Sequence, residues 1–496
     1  MSSNLDHARQ GGCGGWLSRG LWLRNQKHLA CCGGCVMKEW WLYKQQPDAE
    51  SNVSVAVIIA IYVLAIGASL LIRALTWPEK EHVTAIFFVP SVILPFCLVS
   101  MFVYIAFMFD DTHVHYFETR KFIAKEREIN LKTYARKNVA IAAWSAITPL
   151  EQPALNMLKL EGEFPLAPKT PVKIHQEALF DQSRNEQIFN RLLAPMAEKL
   201  KGYNYRVFEI VVWVRGGNEN CIEELRRSLE RMGVDHASTC KIEYMTECPD
   251  YALISQWANL ADYRIENRLV VILDLHEEDD ESKCMENACA FLLTNHYVWE
   301  EGEKPVYLYQ PMSGVTDIEA KMPIYLQVES VLTPKTLWYT GISRTEKYPL
   351  MQALDEKGQA PERLDLDTSL GEKSAGYRWL ALALAADAVK YAQGEQLVAS
   401  SEKNKFSITA LSSQKTATPA NLVWGTWSNP LLPAGMAAFF FIVSLFAYYI
   451  SFAVENDPLS MWELVASIII PFVVFIGTGF LLLIVKTNEA YKDIGY

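Results

Sequence analysis

Four apolar runs, set as two close pairs near the ends of a 496-residue chain, constrain this sequence more than any other feature in it. Val53–Trp77 carries one charge, Arg73, close enough to its end to reach an interface along its own aliphatic stem. Ala85–Phe109, Ala434–Val454 and Leu464–Val485 carry none. Each run reaches the roughly 20 residues that a helix needs to cross hydrocarbon. Pro78–Val83 and Glu455–Glu463 are short connectors, so each pair is expected to form a helical hairpin. Pro90, Pro95 and Pro471 lie inside the runs, where a kink is tolerated if neighbours satisfy the freed carbonyls. The first run is too long for a cleaved leader and has no small-residue cleavage site.

Basic residues set the expected orientation. Arg9, Arg19, Arg24, Lys27, Lys38 and Lys44 precede the first run; Arg120, Lys121, Lys125, Arg127, Lys132, Arg136 and Lys137 follow the second; Lys486 and Lys492 follow the fourth. The first connector has only Lys80, and the second has no Lys or Arg. Both termini and the central region are therefore expected on the cytoplasmic side of a membrane. Few ionisable groups lie within the runs, which argues against a transporter or channel.

The chain divides into an N-terminal segment (1–52), a first hairpin (53–109), a connector (110–202), a folded domain (203–412), a linker (413–433), a second hairpin (434–485) and a tail (486–496). A net charge of −11 is unlike a nucleic-acid binder, and no nucleic-acid partner is expected. Ten cysteines at irregular spacing in a chain with its own core give no disulfide framework. Cys32-Gly-Gly-Cys35, with Cys13 and His28, could make a zinc set, and Cys31 with its neighbours could be palmitoylated. The alternative is that the segment before Met37, which opens MKEWWLYKQQ, is a non-native extension. His113 and His115 form an H-x-H on an expected helix that the basic run and Ile141–Trp144 continue. The run His276–Glu281 (HEEDDE) offers oxygens to a cation but reads first as a solvated charge run. No Walker loop, dinucleotide turn, H-E-x-x-H or paired C-x-x-C occurs. No metal, cofactor or catalytic residue is assigned.

From Tyr203 strand and helix signals alternate: strand Tyr205–Arg215, helix Asn220–Met232, strand Lys241–Met245, helix Tyr251–Tyr263, and strands Arg268–Leu275, Ala288–Thr294 and Pro305–Gln310. A long alanine-rich helix, Thr368–Ala392, and a strand, Phe406–Leu411, follow. This is an α/β layered pattern. LRRSLERMGVD (Leu225–Asp235) before Ile242–Met245, ENACAFLLT (Glu286–Thr294) after Arg268–Leu275, SLGEKSAGYRWLALALAA (Ser369–Ala386) and Phe406–Leu411 resemble, in that order, elements of the thiolase and β-ketoacyl synthase superfamily. The resemblance spans about Tyr203–Ser412 and implies a thiolase-like α/β layered cytoplasmic domain inserted between two transmembrane helical hairpins.

The departures from that family bear on activity. The resemblance implies a nucleophilic cysteine at a helix start before ENACAFLLT, and Leu260–Arg268 has none. Glu372 stands where the family has histidine; Gly376 remains, with Tyr377 at a usually small position. Cys284 and Cys289 fall in the acidic loop and a strand, and His236, His276 and His296 are left as conceivable catalysts. A cysteine nucleophile needs its base, so a degenerate, non-catalytic domain is expected. The arrangement is also similar to accessory proteins of bacterial type VI secretion effector operons. That implies an adaptor or immunity protein of the bacterial inner membrane, bound to lipid and to a secreted effector or secretion component. The other reading is a membrane-bound acyl-handling enzyme.

Overall fold

The computed structural model describes residues 40–50, 53–78, 85–168, 170, 172–175, 181–202, 208–234, 240–259, 267–276, 283–295, 299, 302–420, 428–452 and 460–494. The chain forms two compact units. One is helical, from Leu42–Asn130 and Pro419–Tyr496; the other is layered, from Leu131–Thr418 with Met1–Trp41. The cysteine-rich start, both hairpin connectors beyond Pro78, most of the acidic loop, His236 and His296 lie outside the described residues.

In the helical unit α1 is Val55–Thr76. The second run begins as Ala85–Phe88, passes through a π-turn at Val89–Ile93, and continues without a break as α2, Leu94–Ala135. The basic stretch is therefore a direct extension of the apolar helix. The π-turn has a local cause. Leu94 N–H donates to the Val89 carbonyl, and Pro95 has no N–H to offer the Pro90 carbonyl. Ser69 Oγ on α1 supplies the missing hydrogen at 3.3 Å. Tyr62 and Ser100 hydroxyls add a 2.7 Å link between the same helices. In an apolar surrounding such hydroxyls tie helices together where apolar burial cannot.

The layered unit holds one eleven-stranded sheet. Its strands are β1 Asn138–Ile147, β2 Phe208–Val214, β3 Lys241–Tyr244, β4 Asn267–Asp274, β5 Asn287–Thr294, β6 Tyr307–Tyr309, β7 Met312–Val315, β8 Pro334–Thr340, β9 Glu362–Asp365, β10 Glu395–Glu402 and β11 Lys405–Ser412. The order is β3-β2-β4-β5-β1-β6-β11-β10-β8-β9, with β7 on β11. This order is a duplication. In the first half the third, second, fourth, fifth and first strands lie side by side; β9-β8-β10-β11-β6 repeats that order in the second. In each half the first three of that order are parallel and the fifth strand is antiparallel to the fourth. The stretch Ile141–Trp144, expected as helix, is strand: β1 pairs with β5 and β6 at the middle of the sheet.

The uninterrupted apolar runs follow from burial on both faces. On β4, Leu269, Val271 and Leu273 join one core with α3 (Arg184–Leu193) and α4 (Asn220–Arg231). Val270 and Ile272 join the opposite core with α5, Ala252–Ala258. Helices α6 (Ile318–Gln327) and α7 (Arg344–Glu356) belong to the second half; α7 starts in a Ser343–Glu346 capping box. The long helix expected over Thr368–Ala392 is two, Leu366–Leu370 and α8, Tyr377–Lys390. Between them Gly371 takes φ +108, where a Cβ would lie 2.2 Å from the Lys283 carbonyl oxygen. Helix α8 is buried nearly all round, as a helix apolar on every side must be. It packs on β1 and β5 from one half and on β8 and β10 from the other. Ala381, Ala383, Ala385, Ala386 and Ala388 are fully buried and allow that close approach on both sides.

The last two spans are α9, Leu431–Phe452, and α10, Met461–Asp493. Ala434, Ala437 and Ala438 are buried where the two helices meet. A Cβ on Gly479 would stand 3.0 Å from that of Ala434. Small residues let backbones approach in the absence of water. Gly479→Leu is accordingly expected to cost about 1–3 kcal/mol by overpacking, read as a lower melting temperature of the detergent-solubilised chain. Among the described residues, four helices are thus long and apolar enough to span a membrane.

Candidate functional site

The strand ends of the two halves meet around the start of α8. Asp274, the last residue of β4, is 1% exposed and gathers donors from distant parts of the chain. Arg215 Nε, just past β2, lies 2.6 Å from Oδ1. The Gly376 N–H donates to Oδ2 at 2.7 Å, and the Ser374 hydroxyl donates to the same oxygen. Gly376 is the N-cap residue of α8 and has no capping side chain, so a carboxylate from β4 caps the helix in trans. A Cβ on Gly376 would fall 2.5 Å from the Asp274 Cβ and 2.8 Å from Asn287 Oδ1, which explains why glycine stands there.

Beside this hub lies a second buried carboxylate. Glu286 is fully buried and takes two bonds from Arg184 Nη2, at 2.6 and 2.7 Å. It also accepts from the Ile174 N–H at 2.6 Å and the His276 N–H at 2.8 Å. His276 and Cys284 are thereby brought together: Nε2 is 3.2 Å from Sγ, with both residues buried. Arg215 Nη1 lies 3.9 Å from the same sulfur. Cys284 is bridged to Gly371 across the break before α8. Cys289 sits apart, inside β5, and burial holds its thiol far above the ordinary range. Glu372 is exposed in the same loop as Ser374 and makes no part of these networks.

Helix α5 lies between the third and fourth strands, and the cysteine near its start is Cys248; residues 260–266, within the stretch searched for a cysteine, lie outside the described residues. Cys248 donates to the Ala375 carbonyl at 3.3 Å. Tyr251 OH donates to the Arg378 carbonyl at 2.7 Å, and Trp379 Nε1 to the Pro249 carbonyl at 2.8 Å. The starts of α5 and α8 are thus stitched back to back. Burial pushes the Cys248 thiol up to about 12, with Arg378, Asp274, Arg215 and Asp250 the charged groups around it.

Next to Ser374 an open cavity of about 210 Å³ lies at the ends of β8 and β10. Thr340 and Gly341 form one wall, Ser400, Ser401 and Glu402 another, and the run Lys373–Ala375 with Arg378 the third. Arg378 is ion-paired with Glu402. Lys373 Nζ donates to the carbonyls of Ser401 at 2.9 Å and Gly341 at 3.4 Å. Among the described residues no three His, Cys, Asp or Glu side chains are placed to hold a metal. His115 is buried with Nε2 3.0 Å from Thr487 Oγ1, while His113 is exposed, so the H-x-H does not act as a pair.

No family model matches the chain, and no curated protein does. Among solved structures it is similar to a chain of the type II PKS acyl-carrier protein–ketosynthase complex AntDE:AntF. That match has 11% identity and a TM-score of 0.41, covering 56% of this chain and 100% of that one. AbyA1, a tetronic acid condensing enzyme, gives 13% identity and a TM-score of 0.37 over 55% of this chain and 100% of its own. A variant of OleA from Xanthomonas campestris gives 12% and 0.36 over 56% and 99%.

Proposed function

We propose that the chain is a membrane-anchored binding protein whose layered, condensing-enzyme-like unit does not carry out acyl transfer. The state of Cys248 supports this most directly. Thiol chemistry runs through the thiolate, and helix starts and cations favour it only when they outweigh burial. Cys248 is half-buried, desolvation is the largest influence on its thiol and raises it, and the thiol hydrogen goes to a backbone carbonyl. The full-length protein in detergent should not turn over acyl-CoA, and Cys248 should resist iodoacetamide at pH 8 until the chain is unfolded. Turnover lost in Cys248→Ser would overturn the reading.

Contacts within the helical unit bear on topology. Lys121 pairs with Asp48, Tyr116 OH donates to Asp493, and His115 meets Thr487. These draw together the chain before α1, the extension of α2 and the end of α10. With the basic residues there, they support placing both termini and the layered unit on the cytoplasmic side of a bacterial inner membrane. A reporter active only in the cytoplasm should work at either terminus and in an insertion at Gly302. Activity of a periplasm-only reporter at Gly302 would refute this orientation. The partner in this reading is a protein, a secreted effector or secretion component of a type VI system, which the chain serves as adaptor or immunity protein.

One observation favours a second reading, an acyl-handling enzyme: the Cys284–His276 contact beside Arg215 is a thiol–imidazole pair. Acyl-CoA turnover lost in Cys284→Ser but kept in Cys248→Ser would select it.

A further inference from the structure

The cavity before α8 is polar, and the direction of its hydrogen bonds tells what it can hold. Three of its hydroxyls have already committed their hydrogens to carboxylates. Thr340 Oγ1 donates to Asp367 at 2.6 Å, Ser401 Oγ to Glu346 at 2.6 Å, and Ser374 Oγ to Asp274. Arg215 Nη2 in turn donates to the Ser374 oxygen, so the lone pairs left toward the cavity are those of Thr340 and Ser401. The charges agree. Arg215 offsets Asp274, and Arg378 offsets Glu402. That leaves Asp367 and Glu346 behind the wall against the single ammonium of Lys373, which forms no ion pair among the described residues. Burial raises the Asp367 carboxyl, while hydrogen bonds from Thr340 and Gly341 and the charge of Lys373 act against it. Ala375 is the one apolar side chain on the walls among the described residues, so an acyl chain would find little apolar side-chain surface there.

Lys373 shows what fits. Its ammonium sits against two carbonyls at the cavity edge, on an exposed and flexible stem. We propose that the cavity binds a ligand bearing a primary ammonium group, and that Lys373 occupies the place which the ligand's ammonium takes. This rests on the reading of the layered unit as a binding module and names the ligand class of that site. The Thr340 and Ser401 hydroxyls, 3% and 4% exposed, are fixed from behind by their carboxylates, so these acceptors are in place before any ligand arrives.

The test is calorimetric titration of the full-length protein in detergent with methylammonium and with glycerophosphoethanolamine, against inorganic phosphate and octanoate. Methylammonium should bind at least tenfold more tightly to Lys373→Met than to the original chain, because the resident cation no longer competes. Lys373→Arg keeps a cation and should show no such gain. Tighter binding of glycerophosphoethanolamine would place the amine on a phospholipid head group, and tighter binding of methylammonium on a soluble molecule; both support the site. Binding of phosphate or octanoate without the amines, or an unchanged affinity in a folded Lys373→Met, would overturn it. Acyl-CoA turnover would sink the non-catalytic reading and leave this one standing.

Discussion

Glu286→Ala should destabilise the layered unit by about 3–5 kcal/mol, the usual cost of removing one partner of a buried ion pair. The carboxylate is fully buried and satisfies Arg184, the Ile174 N–H and the His276 N–H together. Its loss strands a largely buried guanidinium and two backbone donors at once. At roughly 2–4 °C per kcal/mol the melting temperature should fall by about 6–20 °C, measured by intrinsic fluorescence of the detergent-solubilised protein. Glu286→Gln keeps the shape and two acceptor lone pairs and should lose less. Equal losses would show that charge, and not hydrogen bonding, holds the cluster. A change of less than about 1 kcal/mol in Glu286→Ala would contradict the buried network.

Gly376→Ala is the second large effect. One added methyl group would stand 2.5 Å from Asp274 Cβ, 2.6 Å from Asp274 Oδ2 and 2.8 Å from Asn287 Oδ1. None of these can swing away, since Asp274 is held by Arg215, Ser374 and Gly376 itself. Either α8 withdraws from β4 or the carboxylate loses its donors. The combined cost is expected at about 3–5 kcal/mol, visible as loss of folded protein on size-exclusion chromatography at 37 °C. Wild-type-like melting of this variant would mean that the two halves are not clamped at this point.

The four apolar helices were legible because each contains a long run without charge in its middle. The doubly buried strands β4 and β5 were legible for a related reason: both faces are covered, so no polar alternation breaks the run. β1 was not. Its sequence, NVAIAAWSAI, is rich in alanine and reads as helix, yet it lies between two partners whose backbones satisfy it as a strand. β8 and β10 hold Thr and Ser facing one another near the cavity, which hides their burial from any hydropathy pattern. The site was legible only in pieces. Gly376 stood out as a retained glycine, but its reason, Asp274, lies 102 residues away. An aspartate inside RLVVILDL was the available signal, since a charge in a buried run must have partners. His276 was noted as a lone histidine; Cys284, which it meets, lies eight positions on, and no residue pattern joins the two. The position of Cys248 was missed because it lies before the start of α5, outside the stretch Leu260–Arg268 in which a cysteine was sought.

Helix α8 belongs to the second half of the duplication but lines the core of the first. Trp144 Nε1 on β1 donates to Asp387 on α8 at 2.9 Å, across 243 residues of chain. At about 5–20 residues per second of synthesis, β1 therefore waits roughly 10–50 s for its partner. During that interval the apolar faces of β1, β2, β4 and β5 that end up against α5 and α8 are only partly covered. The growing chain already carries its first pair of apolar helices by then. Two such half-finished chains could donate α8 to one another, since each offers the same gap and later supplies the same helix. The duplicated architecture thus carries a hazard of mutual exchange during synthesis, and the clamp of Asp274 on the start of α8 is the contact that rewards a chain for closing on itself.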